Sequence, residues 1–209
     1  MKTDLKKILA PIFIFCFSFV TAQISYSNLI IVLDKSPVEI LQARNQAVEE
    51  ILRETNDNVS AETKEMLKEI INGIMDFNEL SRLSLGKYWN PRTEQEKKDF
   101  VNVFSQLIKN SSVKKLEIYQ ADRLVYEEPE INGTKAKVTT IAYKKRKQVE
   151  IVYKMHKVGD QWLVYDMDID GVSTARNYRD SFYKQIAKSS YEEMYNKLVK
   201  KLKEQQQEK

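Results

Sequence analysis

The spacing of apolar residues changes twice along this 209-residue chain, and that change limits the fold more than any other feature of the sequence. Up to about residue 115 apolar residues recur at helical spacing, and after it they fall in short runs with strand-like alternation. From Thr174 the helical spacing returns. A helix buries one stripe and a strand one face, so such elements pack in layers around a shared core. The sequence therefore predicts an α+β fold with N-terminal helices, an antiparallel sheet and C-terminal helices.

Several of the predicted helices have recognisable ends. Pro37 opens the first helix, since proline is favoured in a first helical turn, and Gly86 can end a short helix that begins near Phe77. Thr93 and Glu96 form a capping box, in which each side chain binds the backbone amide of the other residue. The helix that follows this box has the clearest apolar stripe, made of Phe100, Val103, Phe104, Leu107 and Ile108.

The middle of the chain consists of short segments rich in β-branched and aromatic residues. Turn signals such as Asn132-Gly133 and Gly159-Asp160 separate them. From Val149 to His156, apolar and polar residues alternate, as in a strand with one buried face. These features predict an antiparallel meander of four or five strands. The predicted strands are Leu116–Tyr119, Arg123–Glu127, Thr134–Tyr143, Val149–His156 and Gln161–Asp168.

The first thirty residues have the order of a secretory signal peptide: lysines, an apolar run and a small residue before the cleavage site. The apolar run from Ile8 to Val20 has about 13 residues, short of the ~20 that a spanning helix needs, although a retained signal anchor stays an alternative. Cleavage after Ala22 would also remove Cys16, the only cysteine, which suits an oxidising compartment. We expect a signal peptide over residues 1–22, a single domain over 23–203 and a frayed polar tail over 204–209.

The composition leaves little room for catalysis or nucleic-acid binding. Lys and Arg number 34 against 30 Asp and Glu, a balance that disfavours a nucleic-acid partner. One Cys and one His cannot build a Cys/His zinc site, and the five glycines form no phosphate-binding loop. We therefore expect no enzyme activity, no metal and no cofactor, and we assign no catalytic residue.

Two groups of titratable side chains could nevertheless carry chemistry. His156 falls on the polar side of its strand, where a surface role or a hydrogen-bonded role is favoured over catalysis. Asp166, Asp168 and Asp170 alternate along a strand and its exit turn, as a calcium site or an acid–base pair would require. Because the ligand spacing of a calcium loop is absent, the favoured roles are strand-end solvation and capping of the next helix.

Two other features of the sequence, a set of aromatic rings and a basic segment, each allow two interpretations. Large amphipathic rings lie on the predicted sheet and, with the stripe of the capped helix, form either an ordinary core or a cavity between sheet and helices. These rings belong to Tyr119, Tyr126, Tyr143, Tyr153, Trp162 and Tyr165. The segment Lys144–Lys147 is either a solvated hairpin turn or a surface for an anionic membrane or partner.

Three stretches carry a resemblance to a known family. The first is a short helix ending in Leu-Gly and aromatic residues, the second the capped amphipathic helix, and the third a strand leading through an Asp-Gly turn into a helix. These stretches are Phe77–Trp89, Thr93–Ile108 with the following Leu116–Tyr119, and Trp162–Phe182. In this order, behind a signal peptide, the chain from about Ser36 to Leu202 resembles the periplasmic phospholipid-binding MlaC proteins, the toluene-tolerance auxiliary component of an ABC transport system.

The resemblance implies a soluble periplasmic carrier that sequesters phospholipid acyl chains in an apolar cavity enclosed by helices and a curved sheet. Such a carrier shuttles lipid between an outer-membrane lipoprotein complex and an inner-membrane ABC transporter complex with its lipid-binding ring subunit. It thereby maintains the lipid asymmetry of the outer membrane. We expect a monomer. A non-enzymatic periplasmic adaptor with a solid core is the alternative, and a small-molecule enzyme on a similar sheet is a third candidate.

Seven residues are predicted to bind lipid. Tyr119 and Val172 are assigned because they lie on the segments that resemble the family. The helical stripe and the strand pattern add Phe100, Phe104, Leu107, Ile141 and Tyr153. Covering acyl chains from water gains about 0.8 kcal/mol per CH₂, so this function needs apolar surface rather than a nucleophile or a metal.

Overall fold

The structure is a computed structural model that describes residues 35–55, 59–112 and 120–207. Its helices are α1 (Pro37–Glu54), α2 (Ala61–Asn72), α3 (Phe77–Leu85), α4 (Glu94–Ser112), α5 (Thr174–Lys188) and α6 (Tyr191–Gln207). Its strands are β1 (Arg123–Tyr126), β2 (Glu130–Asn132), β3 (Lys135–Lys144), β4 (Lys147–Val158), β5 (Gln161–Ile169) and β6 (Val172–Ser173). This order confirms the predicted α+β fold, with four helices before the sheet and two after it.

The two ends of the chain relate differently to the structure. The predicted signal peptide, residues 1–22, lies outside the described residues. At the other end α6 continues to Gln207, into the stretch predicted to fray, and the fraying itself stays a prediction. None of the helices in the described ranges is both long enough and apolar enough to cross a membrane.

The predicted helix ends are confirmed by hydrogen bonds. At α4 the Thr93 amide donates to the Glu96 carboxylate at 2.7 Å, and the Glu96 amide donates to the Thr93 hydroxyl at 3.2 Å. The same reciprocal pair joins Ser36 and Glu39 at the start of α1, where Pro37 is the first helical residue. Gly86 ends α3 with a φ of 51°, a conformation that glycine adopts without strain.

The sheet has three long central strands and three short ones at its edges. β3, β4 and β5 pair antiparallel in sequence order, β1 and β2 both pair with β3, and β6 pairs with β5. Four of the predicted strands correspond to β1, β3, β4 and β5, whereas the predicted strand Leu116–Tyr119 lies outside the described residues. The sequence did not indicate β2 and β6, because strands of three and two residues are too short to show alternation.

Buried apolar side chains form separate clusters on the helices and on the sheet. The helical core, mainly from α3, α4, α5 and α6, consists of Leu80, Leu85, Phe100, Phe104, Ile108, Ala175, Phe182, Tyr191 and Met194. The sheet core consists of Leu41 of α1 with Ala136, Val138, Ile151, Tyr153, Met155, Trp162 and Val164. A smaller cluster of Val48, Leu52, Leu67 and Ile71 joins α1 to α2. The fold therefore contains a boundary where the helical core meets the sheet core.

A buried carboxylate attaches α5 to the sheet beside this boundary. Asp166 on β5 is 4% exposed and accepts hydrogen bonds from the Ala175 amide at 2.9 Å, the Ser173 hydroxyl at 2.8 Å and the Lys154 ammonium at 3.0 Å. Lys154 also donates to Asp168 at 2.9 Å. Burial opposes the charged form of Lys154, but these carboxylates outweigh it and raise the pKa of the ammonium above its usual value.

Replacing Asp166 by Asn should destabilise the fold. The amide keeps the shape but cannot accept as strongly from Ser173, Ala175 and Lys154, and it leaves a partly buried ammonium with one carboxylate fewer. We expect a loss of about 2–3 kcal/mol in the free energy of unfolding, measured by denaturant titration. Asp168→Asn is the matched control, because Asp168 is more exposed and shares only Lys154, so its loss should stay below about 1 kcal/mol. Equal losses for the two variants would contradict the anchoring role of Asp166.

Candidate functional site

A pocket of about 350 Å³ opens where the C-terminal end of α4 meets the β5–β6 corner and the start of α5. Its lining residues are Ile108, Ser111, Ser112, Met167, Ile169, Val172, Thr174, Asn177 and Tyr178. Ile108 belongs to the helical core and Tyr178 packs against it, whereas Met167 packs against the sheet core. The pocket, called the seam pocket below, therefore lies at the boundary between the two cores.

The α4 stripe forms the wall behind the seam pocket. Phe100 and Phe104 are fully buried, with ring centroids 5.4 Å apart, and Leu107 is 5% exposed. The Phe104 ring meets the Tyr178 ring edge to face at 4.9 Å, and Tyr178 lines the pocket. Thus Phe100 and Phe104 belong to the helical core, Leu107 is buried on the same helix, and none of the three lines the pocket.

The other predicted residues lie in different places. Val172 lines the seam pocket and is 57% exposed, so it stands at the opening. Tyr153 is buried in the sheet core and pairs in register with Met167 of the pocket. Ile141 is half-buried between the buried residues Thr140 and Ala142, so strand alternation directs it to the opposite face, away from the pocket. Tyr119 lies outside the described residues.

A layer of polar side chains joins α1 to the sheet on the side of Tyr153. The Arg44 guanidinium is 6% exposed, donates to the Tyr153 hydroxyl at 3.0 Å and lies 5.1 Å from the centre of the Tyr153 ring. It also donates to the side-chain oxygen of Asn45, whose amide donates to the Tyr126 hydroxyl. Burial is the main reason that the pKa of Tyr126 is raised, so its hydroxyl stays neutral. This layer fixes α1 on the sheet by polar contacts rather than by apolar packing alone.

The polar side chains that line the seam pocket are neutral, and its two serines are hydrogen-bonded to backbone carbonyls. The Ser111 hydroxyl donates to the Leu107 carbonyl and the Ser112 hydroxyl to the Lys109 carbonyl, each at 2.8 Å. Burial raises the pKa of Tyr178, so the phenol remains uncharged at neutral pH. The lining therefore presents apolar surface with a few neutral dipoles, an arrangement suited to binding an apolar group rather than to proton transfer or nucleophilic attack.

The titratable groups considered from the sequence have structural contacts. His156 lies 2.9 Å from the Asp76 carboxylate, which also caps α3 by accepting from the Glu79 amide. Asp170 accepts from the Glu150 amide at 3.0 Å and holds the β5–β6 corner. Within the described ranges, no group of three or more His, Cys, Asp or Glu residues could hold a metal ion.

The sequence did not lead us to several residues of the seam pocket, although the spacing of apolar residues could have indicated some of them. Ile108 belongs to the α4 stripe, one turn after Phe104. Met167 and Ile169 alternate with the three aspartates, so the acidic triplet marked a strand whose other face is apolar. The pairing of this strand is interrupted by an irregularity at Lys154/Met155, which places Tyr153 beside Met167. Such an irregularity has no clear sequence signal, and neither does the approach of α5 to this strand.

Comparisons with known proteins agree with this architecture. A similar solved structure is that of the phospholipid-binding protein from Ralstonia solanacearum in complex with a phospholipid, with a TM-score of 0.69. At 17% identity the match covers 80% of this chain and 97% of that chain, and it shows a shared fold. Among curated proteins, no sequence matches the chain. The profile of the family described as MlaC protein matches residues 42–201, more than half of the sequence, and the chain therefore belongs to the MlaC family.

Proposed function

We propose that the protein is a soluble phospholipid carrier that shelters acyl chains between its helical core and its sheet core. The observation that carries this proposal is the seam pocket, an apolar opening between two separate apolar clusters. Family membership supports it, and so does the phospholipid complex of the Ralstonia solanacearum protein with the same fold. Both favour a binding or carrier protein over an enzyme.

The size of the seam pocket defines how lipid must enter. Its volume of about 350 Å³ lies near the lower end of the ~300–1,000 Å³ typical of small-molecule sites. A phospholipid with two acyl chains therefore needs the helical and sheet cores to move apart along their boundary. Every acyl methylene that leaves water gains about 0.8 kcal/mol, which offsets the cost of separating the apolar surfaces of the two cores.

The carrier works, in this proposal, in the periplasm after removal of residues 1–22. It moves phospholipid between two membrane complexes. One is an outer-membrane lipoprotein complex, and the other is an inner-membrane ABC transporter complex with a lipid-binding ring subunit. This traffic maintains the lipid asymmetry of the outer membrane. A soluble carrier suits that task because exposed acyl chains cannot cross an aqueous space without a cover.

A periplasmic adaptor with a solid core is the second candidate. The full burial of Phe100 and Phe104 favours it, because these side chains already fill the space behind the pocket. The two candidates differ in whether the boundary between the cores opens for a ligand, and lipid occupancy measures that difference directly.

Protein purified from the periplasm should carry phospholipid. Native mass spectrometry should show a species heavier than the polypeptide by the mass of a phospholipid, and solvent extraction should release that lipid for identification. The delipidated protein should regain the heavier mass after incubation with phospholipid vesicles. A polypeptide-only mass in both experiments would contradict the carrier and favour the adaptor.

Replacing Val172 by Glu should lower lipid occupancy several-fold. The substitution places a carboxylate at the opening of an apolar pocket, where burying it beside acyl chains is costly. Because Val172 is 57% exposed, we expect the unfolding transition to be unchanged. Native mass spectrometry measures the bound fraction, and thermal unfolding verifies the fold.

Val158→Glu is the matched control for this variant. Val158 is 49% exposed and ends β4 at the opposite end of the strand from the β5–β6 corner, so the same charge lies away from the pocket. Its lipid occupancy should equal that of the unmodified protein. If a folded Val172→Glu variant bound as much lipid as Val158→Glu, Val172 would not belong to the site.

A further inference from the structure

The β3–β4 turn presents a compact group of cations. Lys144, Lys145, Arg146 and Lys147 follow one another, and Arg123 lies beside them because it pairs in register with Tyr143. Lys145, Arg146 and Lys147 are exposed. In the part of the chain that the structure describes, none of these five side chains is ion-paired with a carboxylate. They are called the basic tip below.

The basic tip is held in a defined shape. The Asp122 carboxylate accepts from the Lys145 amide at 2.6 Å, and the Arg123 guanidinium stacks over the Tyr143 ring at 4.3 Å. Lys145 has a φ of 55°, in the region that normally favours glycine or asparagine. The turn thus places a lysine where an uncharged turn residue would fit with less strain. A fixed backbone with exposed ammonium and guanidinium groups is suited to contact an extended anionic surface.

The seam pocket lies near one end of the sheet, and the basic tip extends beyond that end. The Asp170 amide donates to the Glu150 carbonyl at 2.9 Å, which sets the β5–β6 corner level with Glu150. From there β4 continues three residues back to Lys147, about 10 Å at strand spacing. Val172, at the opening of the pocket, follows the same corner. The tip and the opening therefore lie toward the same end of the sheet.

Acidic side chains near the tip do not cancel its charge. The Asp122 carboxylate accepts from the Lys145 amide of the turn, and the Asp170 carboxylate accepts from the Glu150 amide of β4. Glu150 itself lies three residues beyond Lys147. The four consecutive residues of the turn contain no acid. This narrow cationic projection, with exposed Val172 behind it, matches a layer of anionic lipid head groups above an apolar interior better than the folded surface of an acidic protein.

We propose that the basic tip docks the protein on anionic phospholipid bilayers and brings the opening of the seam pocket to the head-group layer. The purpose of this docking rests on the proposed carrier function, but the docking is a separate property with its own measurement. The ligand chemistry is the phosphate-bearing, negatively charged surface of a bilayer.

Vesicle flotation tests this inference. The purified protein should bind vesicles made of equal parts phosphatidylglycerol and phosphatidylcholine, and should not bind vesicles of phosphatidylcholine alone. Binding should weaken as salt is added, because exposed charges are screened. The double variant Lys145→Gln/Arg146→Gln should bind the anionic vesicles about 25-fold more weakly, since each basic residue near such a surface contributes about fivefold.

The matched control is Lys197→Gln/Lys201→Gln. It removes two exposed cations from α6, a helix that packs on α4 and α5, and it should leave vesicle affinity unchanged. If the tip variant bound as tightly as this control, or if the unmodified protein did not bind anionic vesicles, the inference would be overturned. If the tip variant still bound anionic vesicles but no longer bound an acidic protein partner, the docking inference would be overturned, and the basic tip would be a protein interface.

Lipid occupancy separates this inference from the carrier function. Native mass spectrometry of the tip variant should show undiminished phospholipid, because no residue of the tip lines the seam pocket. A protein that carries lipid but does not dock would refute the docking alone. A protein that docks through the tip but never carries lipid would refute the carrier function and leave the docking supported.

Discussion

The seam pocket depends on the buried carboxylate of Asp166. This group joins Lys154 of β4 to the start of α5, through hydrogen bonds to the Ser173 hydroxyl and the Ala175 amide. Because a desolvated carboxylate needs all of its donors, the position of the first turn of α5 is fixed against β5. The same helix carries Tyr178 and Phe182, which form one side of the helical core. A polar contact thus determines where an apolar boundary can exist.

In the described part of the chain, the contact of α1 with the sheet and the contact at the seam pocket differ in chemistry. On the α1 side, Arg44 and Asn45 connect to the hydroxyls of Tyr153 and Tyr126. Opening that side would leave buried polar groups without partners, which costs far more than separating apolar surfaces. At the seam pocket the contacts of Asp166 hold the start of α5, and the surfaces beyond it are mainly apolar. An acyl chain offers each of these surfaces a similar apolar partner. The proposed route for lipid follows from this difference in cost.

The sequence was sufficient for the elements with strong local signals. The capping box at Thr93 and the stripe through Phe100 and Phe104 follow from residues three or four positions apart, so α4 could be predicted in detail. The assignment of each apolar residue to a layer could not. Phe104 and Ile108 are one turn apart, yet the first lies behind the pocket and the second lines it. Ile141 is an apolar residue of the kind found in a core, but the sheet face on which its side chain lies depends on the pairing of β3 with its neighbours.

Long-range polar contacts were the other part that periodicity could not supply. Arg44 looks like one of many charged residues on an amphipathic helix, and only the approach of Tyr153, 109 positions later, makes it a buried group. The aspartates of β5 were ambiguous for the same reason. Their roles are set by Lys154 on the neighbouring strand and by the amide of Ala175, neither of which is recognisable as a partner from local spacing.

In the proposed carrier, methionine side chains would let the boundary between the two cores open for lipid. Met75 packs against both the helical core and the sheet core, and Met167 lies where the sheet core borders the seam pocket. A bridge to Val164 joins the backbone of Met75 to the sheet, while its side chain contacts both cores. Methionine is unbranched and polarisable, and it fills irregular gaps with little penalty for changing rotamer. In the proposed carrier, the rigid aromatic rings behind the pocket would keep the helices together, and the flexible thioethers at its edge would adjust to the acyl chains.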